Sequence, residues 1–243
     1  MKARALQAPL TPEDAELKSR KYYYWLLVVF FFEYARPASF VPFLRIPFLY
    51  SLIPLGLLVA QHYGEGLRPY REIFADKLSK WPVVMLSLIL IGMFTATLQR
   101  NAWFTFTLVL GFVFLFIMVA RIVTNLARLR GVVAMLLFSH VFLLAMNPNV
   151  VLDPTQRQYI TGASFLGDGN DFSLSLCILL PLTIELARSR TTFWPRLLSW
   201  ASLGLLLLGI IATQSRGGTL GVGAVLVFMW LFSPRKALGS VWG

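Results

Sequence analysis

Residues 102–120, AWFTFTLVLGFVFLFIMVA, form a run of 19 residues without a charged side chain, and Arg100 and Arg121 lie just outside it. A helix needs about 20 mainly apolar residues to cross the hydrocarbon core of a bilayer, and this run has that length. Helices are preferred to strands here because lipid cannot satisfy the polar groups of an open backbone, and barrel strands alternate in hydrophobicity. The run therefore predicts a transmembrane helix.

Similar apolar blocks, separated by short basic connectors, fill most of the chain. The composition agrees, because 57% of the 243 residues are hydrophobic and 14% are charged, whereas a soluble domain carries about 25% charged residues. We predict an all-α, polytopic membrane protein with about eight spans, at residues 22–34, 46–61, 82–97, 102–120, 131–147, 172–187, 197–213 and 217–232. Residues 1–21 form a cytoplasmic tail, 22–232 the transmembrane domain with an outer loop at 148–171, and 233–243 a second cytoplasmic tail.

The lysines and arginines predict the orientation of these spans. With the N-terminus inside, 17 of the 22 basic residues fall in cytoplasmic segments and 5 in outer segments. Cytoplasmic connectors of membrane proteins carry such an excess of Lys and Arg. The bias holds at every connector, so we expect both ends of the chain in the cytoplasm.

The same distribution argues against a soluble partner of opposite charge. The net charge of +11 comes from connectors between apolar blocks, so the expected partner is the lipid bilayer and not a nucleic acid.

Cys177 is the single cysteine, which excludes an intrachain disulfide. No clustered His or Cys residues complete a transition-metal site, and no dinucleotide or phosphate-loop motif occurs, so we expect no metal and no cofactor.

Two outer segments are unusually polar. Residues 162–171, GASFLGDGND, precede the sixth span, where Asn170 or Asp171 is suited to cap the helix. This segment is read either as a flexible loop with a cap, or as a helix N-terminus that holds a phosphate or orients a polar acceptor. In the second reading the carboxylates of Asp168 and Asp171 repel a phosphate unless a cation lies nearby.

The second segment is residues 213–218, TQSRGG, between the seventh and eighth spans. The two spans leave almost no loop, so Arg216 lies near the interface or within the bilayer. Arg216 is either an interfacial arginine that snorkels outward, or an ionisable group held at a helix break for a functional reason.

The five outer basic residues are all arginines: Arg36, Arg45, Arg100, Arg157 and Arg216. The planar guanidinium group grips phosphate or carboxylate in two bonds, so the outer face is expected to handle an anion. Glu33 is three residues from Arg36 and is expected to pair with it. His140 lies inside an apolar block and is interpreted as a hydrogen-bonding residue, and the residues alone identify no catalytic group.

Three short motifs resemble the O-antigen ligase and polymerase superfamily, and most closely the exosortase-associated O-glycosylation ligases. They are residues 165–172, FLGDGNDF, followed by Leu180-Pro181-Leu182; residues 213–218, TQSRGG; and residues 33–37, EYARP. Their order, spacing and topology agree with that family. The resemblance covers most of this chain but only the N-terminal portion of the family.

The resemblance implies a glycan on undecaprenyl diphosphate as substrate, at the outer face of the bacterial inner membrane, for transfer to an acceptor that stays unidentified. It implies no nucleotide sugar and no metal. The substrate-binding candidates are Arg216, Ser215, Arg36, Arg45 and Arg100, and Asp168, Asn170 and Asp171 belong to the same outer site.

One departure from the family keeps other functions open. Family members continue into a large outer loop with a histidine that activates the acceptor, and this sequence has no outer histidine before Gly243. We therefore expect a fragment of a ligase, inactive by itself. The alternatives are a transporter or flippase of an anionic lipid or solute, and a non-catalytic membrane assembly subunit.

Overall fold

The computed structural model describes residues 11–46, 49–152, 160, 166–189 and 191–232. The secondary structure of these residues is helical, with connecting turns and no strand, so the predicted all-α class is confirmed for them. Three short 3-10 turns occur, at Pro37–Ser39, Pro42–Leu44 and Leu78–Lys80. The α-helices are α1 (Pro12–Ala35), α2 (Leu49–His62), α3 (Tyr70–Ile73), α4 (Trp81–Thr95), α5 (Gln99–Ile122), α6 (Leu126–Met146), α7 (Asn149–Leu152), α8 (Gly169–Ser189), α9 (Phe193–Ala212) and α10 (Arg216–Leu231).

Five segments of the described chain are long and apolar enough to cross a membrane. They are Leu78–Thr95, which includes α4, together with α5, α6, α8 and α9. Two shorter apolar helices, Ser51–His62 within α2 and Arg216–Leu231, accompany them. Large apolar side chains are exposed along α4, such as Ile91 and Phe94, which are 64% and 77% exposed. An apolar surface of this extent is stable in contact with lipid. Together with the five apolar helices, it indicates that the chain is a multi-pass membrane protein.

Helix α1 begins ten residues before the predicted span at 22–34. Thr11 explains the early start, because its Oγ1 accepts a hydrogen bond from the backbone N–H of Asp14 at 3.2 Å. Pro12 and Glu13 follow at positions that favour a helix start. Residues 12–21, predicted as part of a polar tail, are therefore helical, and α1 continues without a break to Ala35.

The chain divides into two compact units, and the division falls within α1 and α6. The first unit holds residues 1–29 and 48–129, and the second holds 30–47 and 130–243. In the first unit, the buried Arg121 donates hydrogen bonds to the backbone oxygens of Gln61 and Arg68 and to the Tyr70 hydroxyl, at 2.8, 3.1 and 2.9 Å. Arg121 thereby ties the C-terminal ends of α2 and α5 together.

In the second unit, α6, α8 and α9 surround a hydrophobic core. Its members include Leu143, Leu144, Phe172, Leu176, Leu179, Leu206 and Ile210. Helices α6 and α8 are antiparallel, because His140 contacts Ser175 while Arg130, near the start of α6, lies 3.9 Å from Glu185 near the end of α8. Glu185 thus pairs with Arg130.

Candidate functional site

The start of α10 is built by Ser215. Its Oγ accepts a hydrogen bond from the backbone N–H of Gly218 at 3.0 Å, which makes Ser215 the N-cap of the helix. Gln214, just before it, has a φ of 50°, a left-handed conformation that a non-glycine residue rarely adopts. This sharp turn reverses the chain between α9 and α10. It leaves Ser215 buried and Arg216 exposed at the first position of the helix.

The start of α8 is built by Asp168. Its backbone oxygen accepts from the N–H of Phe172 at 3.0 Å, and its Oδ1 lies 3.4 Å from the N–H of Asn170. The helix begins at Gly169, so Asp168 holds the cap position, and the expectation that Asn170 or Asp171 caps the helix was wrong. Asp171 lies in the first turn with its carboxylate exposed, where it interacts favourably with the helix dipole.

A hydrogen bond joins these two helix starts. The Ser215 hydroxyl donates to Oδ1 of Asn170 at 2.9 Å. The two motifs that the sequence placed on one face, 45 residues apart, are therefore in direct contact. Arg216, Asp168 and Asp171 are chain neighbours of this pair, and we call the five residues the paired helix start.

Small residues bring α8 and α10 close together below the paired helix start. A Cβ added to Gly218 would lie 2.7 Å from both Cβ and Oγ of Ser173, and one added to Gly221 would lie 3.1 Å from Sγ of Cys177. The Cys177 thiol also lies 3.4 Å from the backbone oxygen of Gly218. Gly218 lies against Ser173, and one turn later Gly221 lies against Cys177. Because the contacts advance along both helices in the same direction, α8 and α10 are parallel.

The parallel arrangement places the positive ends of two helix dipoles together at the paired helix start. The N-terminus of each helix carries about half a positive charge, and the N–H groups of Arg216 and Gly217 have no intrahelical acceptor. The exposed guanidinium group of Arg216 adds a full charge. The carboxylates of Asp168 and Asp171 carry negative charge on the α8 side of the site. The site can therefore hold an anion on the Arg216 side and accept hydrogen bonds on the α8 side. No group of three or more metal-ligating side chains occurs among the described residues.

Two of the other predicted anion contacts have partners within the protein. Arg36 follows α1, has a φ of 43° and lies 3.8 Å from the Glu33 carboxylate, so the predicted pair is confirmed. Arg45 donates to the backbone oxygens of Ala38 and Ser39 at 3.2 and 3.3 Å. Arg45 therefore holds the turn that follows α1, and this use of its guanidinium group was missed from the sequence.

Arg100 belongs to the first unit, in the first turn of α5, where it is exposed. The paired helix start belongs to the second unit. Residues 162–165 of the polar outer loop, and Arg157, lie outside the described residues.

The ring of His140 contacts three helices, whereas the sequence predicted only a hydrogen-bonding residue. Its Nδ1 lies 2.8 Å from the backbone oxygen of Leu136, and its Nε2 lies 2.7 Å from the Ser175 hydroxyl. The ring stacks on Phe172 at 5.8 Å and an angle of 20°, and it contacts Tyr34. Since a carbonyl oxygen only accepts, Nδ1 carries the proton and Ser175 donates to Nε2. His140 thus connects the first turns of α8 to α6 and to the end of α1.

The geometry of this region combines two helix starts, one exposed arginine and two carboxylates. No family model, curated protein or solved structure matches the chain. Function is therefore inferred from the chemistry of the residues at the paired helix start.

Proposed function

We propose that the paired helix start binds the diphosphate of a polyprenyl-linked glycan, and that the chain is the substrate-binding portion of a glycan ligase of the O-antigen ligase type. The observation that carries the proposal is the 2.9 Å hydrogen bond between Ser215 and Asn170. This bond fixes two positive helix ends beside the exposed guanidinium group of Arg216. A phosphate anion is the ligand for which such an arrangement is best suited.

The transfer of a glycan from a lipid diphosphate is favoured by a cationic group beside the leaving oxygen. When the glycan leaves its lipid carrier, the bond between the sugar carbon and the diphosphate oxygen breaks, and negative charge grows on that oxygen. The guanidinium group of Arg216 and the free N–H groups at the start of α10 stabilise this charge. The new bond forms to an acceptor hydroxyl, whose proton goes to a base that we do not assign to any residue of this chain. The Asp171 carboxylate, exposed in the first turn of α8, accepts hydrogen bonds from sugar or acceptor hydroxyls.

The apolar surroundings suit a substrate with a lipid tail. Ile211, in the last turn of α9, is 73% exposed, and Leu220, in the second turn of α10, is 76% exposed. These side chains lie within one or two helical turns of Arg216 along the chain. A ligand with a charged head and a long hydrocarbon tail can therefore satisfy both parts of this surface at once.

The proposal includes eight membrane crossings, with both termini in the cytoplasm and the paired helix start at the outer face of a bacterial inner membrane. Two observations support the alternating topology. Helices α8 and α10 are parallel, as two helices separated by one crossing must be. The C-terminal ends of α2 and α5 meet at Arg121, as they should if both helices run toward the cytoplasm.

The test is a binding measurement with undecaprenyl diphosphate as the probe and undecaprenol as the neutral reference lipid. We expect the purified chain in detergent to bind the diphosphate at least about tenfold more tightly than the alcohol, because the arginine and two helix ends act on the charged head. Arg216→Ala should abolish this preference, and Arg216→Lys should retain only part of it, because an ammonium group lacks the planar fork.

Arg188→Ala is the matched control, since Arg188 is an exposed arginine at the opposite end of α8. It should leave the preference for the diphosphate unchanged. Equal binding of the two lipids by the unmodified protein, or an Arg216→Ala variant that keeps the preference, contradicts the proposal.

A further inference from the structure

The first unit contains an apolar groove between α4 and α5 that has no part in the proposed diphosphate site. Its volume is about 740 Å³, within the range of cavities that hold small ligands. The groove is lined by Leu78, Trp81, Val84, Met85, Val109 and Phe116, among others, all of them apolar. Because α4 and α5 are both long and apolar enough to cross a membrane, hydrocarbon chains are the molecules that reach this groove.

One end of the groove is marked by a pair of lysines. The 3-10 turn Leu78–Lys80 leads directly into α4, and side chains three residues apart lie one above the other in such a turn. Leu78 and Trp81 therefore share the side that lines the groove, and Lys77 and Lys80 share a neighbouring side. Both lysines are exposed.

The two lysines are available to a ligand. Neither takes part in an ion pair within the described ranges of the chain. The nearby Asp76 carboxylate accepts a hydrogen bond from the backbone N–H of Leu78 at 3.2 Å and is used to start the turn. Trp81, 64% exposed beside them, is of the type that lies at the level of lipid headgroups.

We propose that the groove is a binding site for an anionic phospholipid, whose acyl chains occupy the space between α4 and α5 and whose phosphate contacts Lys77 and Lys80. The charge complementarity at the end of the groove selects this occupant over a zwitterionic lipid. Basic pockets between transmembrane helices bind anionic headgroups in this way. The site is separate from the paired helix start, so it is independent of the proposed function.

The test compares two lipids with identical chains, dioleoyl-phosphatidylglycerol and dioleoyl-phosphatidylcholine, by native mass spectrometry of the purified protein. The unmodified protein should retain the phosphatidylglycerol at about tenfold lower lipid concentration, since each lysine near a headgroup favours an anionic lipid severalfold. The double variant Lys77→Gln with Lys80→Gln should bind both lipids equally. The variant with arginine at both positions keeps the charge and should keep the preference, which shows that the glutamine variant fails for lack of charge and not of folding.

Two further variants distinguish lipid binding in the groove from a general attraction of anionic lipid to the basic protein. Val84→Trp fills the groove from α4 and should reduce retention of both lipids. Lys21→Gln with Arg71→Gln removes the same number of exposed charges from the first unit, away from the groove lining, and should leave the preference intact. The proposal is overturned if the unmodified protein retains both lipids equally, or if this control variant loses the preference as fully as the Lys77 and Lys80 variant.

Discussion

The Ser215 hydroxyl donates a hydrogen bond to Oδ1 of Asn170 at 2.9 Å while it accepts one from the backbone N–H of Gly218 at 3.0 Å. One hydroxyl group therefore caps α10 and also fixes α10 against the first turn of α8. Loss of this hydroxyl would remove the cap of α10 and its hydrogen bond to α8 at the same time. The position of Arg216 relative to α8 thus depends on this hydroxyl.

The first prediction concerns the coupling of Ser215 and Asn170. Ser215→Ala removes both the cap and the bond between helices, and should cost about 1–2 kcal/mol of stability. Asn170→Ala removes only the bond between helices and should cost less. The double variant should cost less than the sum of the two by about 0.5–1.5 kcal/mol, measured by unfolding in mixed detergent micelles. Strictly additive losses would show that the two side chains are not coupled.

A second prediction follows from the contact between Gly218 and Ser173. Gly218→Ala places a methyl group 2.7 Å from Cβ and Oγ of Ser173, so α10 must shift from α8, at a cost of about 1–3 kcal/mol. Ser173→Gly removes both clashing atoms. We expect the double variant to regain the undecaprenyl diphosphate binding that Gly218→Ala loses, measured by native mass spectrometry.

The control for this prediction lies on the same helix. A Cβ at Gly223 would meet nothing within 4 Å, so Gly223→Ala should leave binding unchanged. If Gly218→Ala binds the lipid normally, or if Ser173→Gly does not restore its binding, the close packing of α8 and α10 does not position Arg216.

Much of the fold could be predicted because each apolar block carries its own signal. Every predicted span overlaps a helix of the structure, and the charge distribution placed residues 162–171 and 213–218 on one face. The start of α1 was missed because polar residues at a helix end carry no hydropathy signal, although Thr11 and Pro12 carried a capping signal. The count of eight crossings stays a prediction, since five of the helices meet the length and composition of a span.

The contacts within the site could not be predicted, because they depend on how helices pack. The Ser215–Asn170 bond joins residues 45 positions apart, and the His140–Ser175 bond joins residues 35 apart. Nothing in a single sequence distinguishes these pairs from other polar pairs. For the same reason, the hydrogen bonds from Arg45 to the backbone of Ala38 and Ser39 could not be predicted.

A third prediction concerns Arg121, which is 5% exposed. Arg121→Met leaves the backbone oxygens of Gln61 and Arg68 without this donor, so the first unit should lose about 2–4 kcal/mol of stability. Arg121→Lys should recover only part of the loss, because an ammonium group cannot span the three acceptors. Arg71→Met, at an exposed arginine, is the control in a thermal unfolding assay and should have little effect. Equal melting temperatures of Arg121→Met and the control would show that Arg121 is not needed to join α2 and α5.

The fourth prediction is a pH dependence in the first unit. The Lys18 ammonium group donates to Glu65 at 2.6 Å, and this hydrogen bond and charge hold the pKa of the Glu65 carboxyl below its usual value. A lowered pKa in the folded state contributes stability above the pKa of the unfolded carboxyl, and this contribution is lost as the pH falls through the folded-state value. Glu65→Gln should therefore melt below the unmodified protein at pH 7 and together with it at acidic pH. The difference should be small, since both side chains are exposed, and a difference that grows on acidification would contradict the assignment.

The fifth prediction tests the proposed topology through cysteine labelling. Cys177 is buried, so a membrane-impermeant maleimide should leave the native chain unlabelled, and single cysteines introduced elsewhere report their own side of the membrane. Ser39 follows α1 and Ala75 lies between α3 and α4, and both are exposed. We expect Ser39→Cys to react in intact spheroplasts, because the proposed topology places it on the outer side. Ala75→Cys should react only after the membrane is permeabilised, since the connectors rich in Lys and Arg stay in the cytoplasm. Labelling of both cysteines in intact spheroplasts would mean that α2 does not cross the membrane and that Ala75 lies outside. With the later crossings unchanged, the paired helix start would then lie on the cytoplasmic side, away from a substrate presented outside.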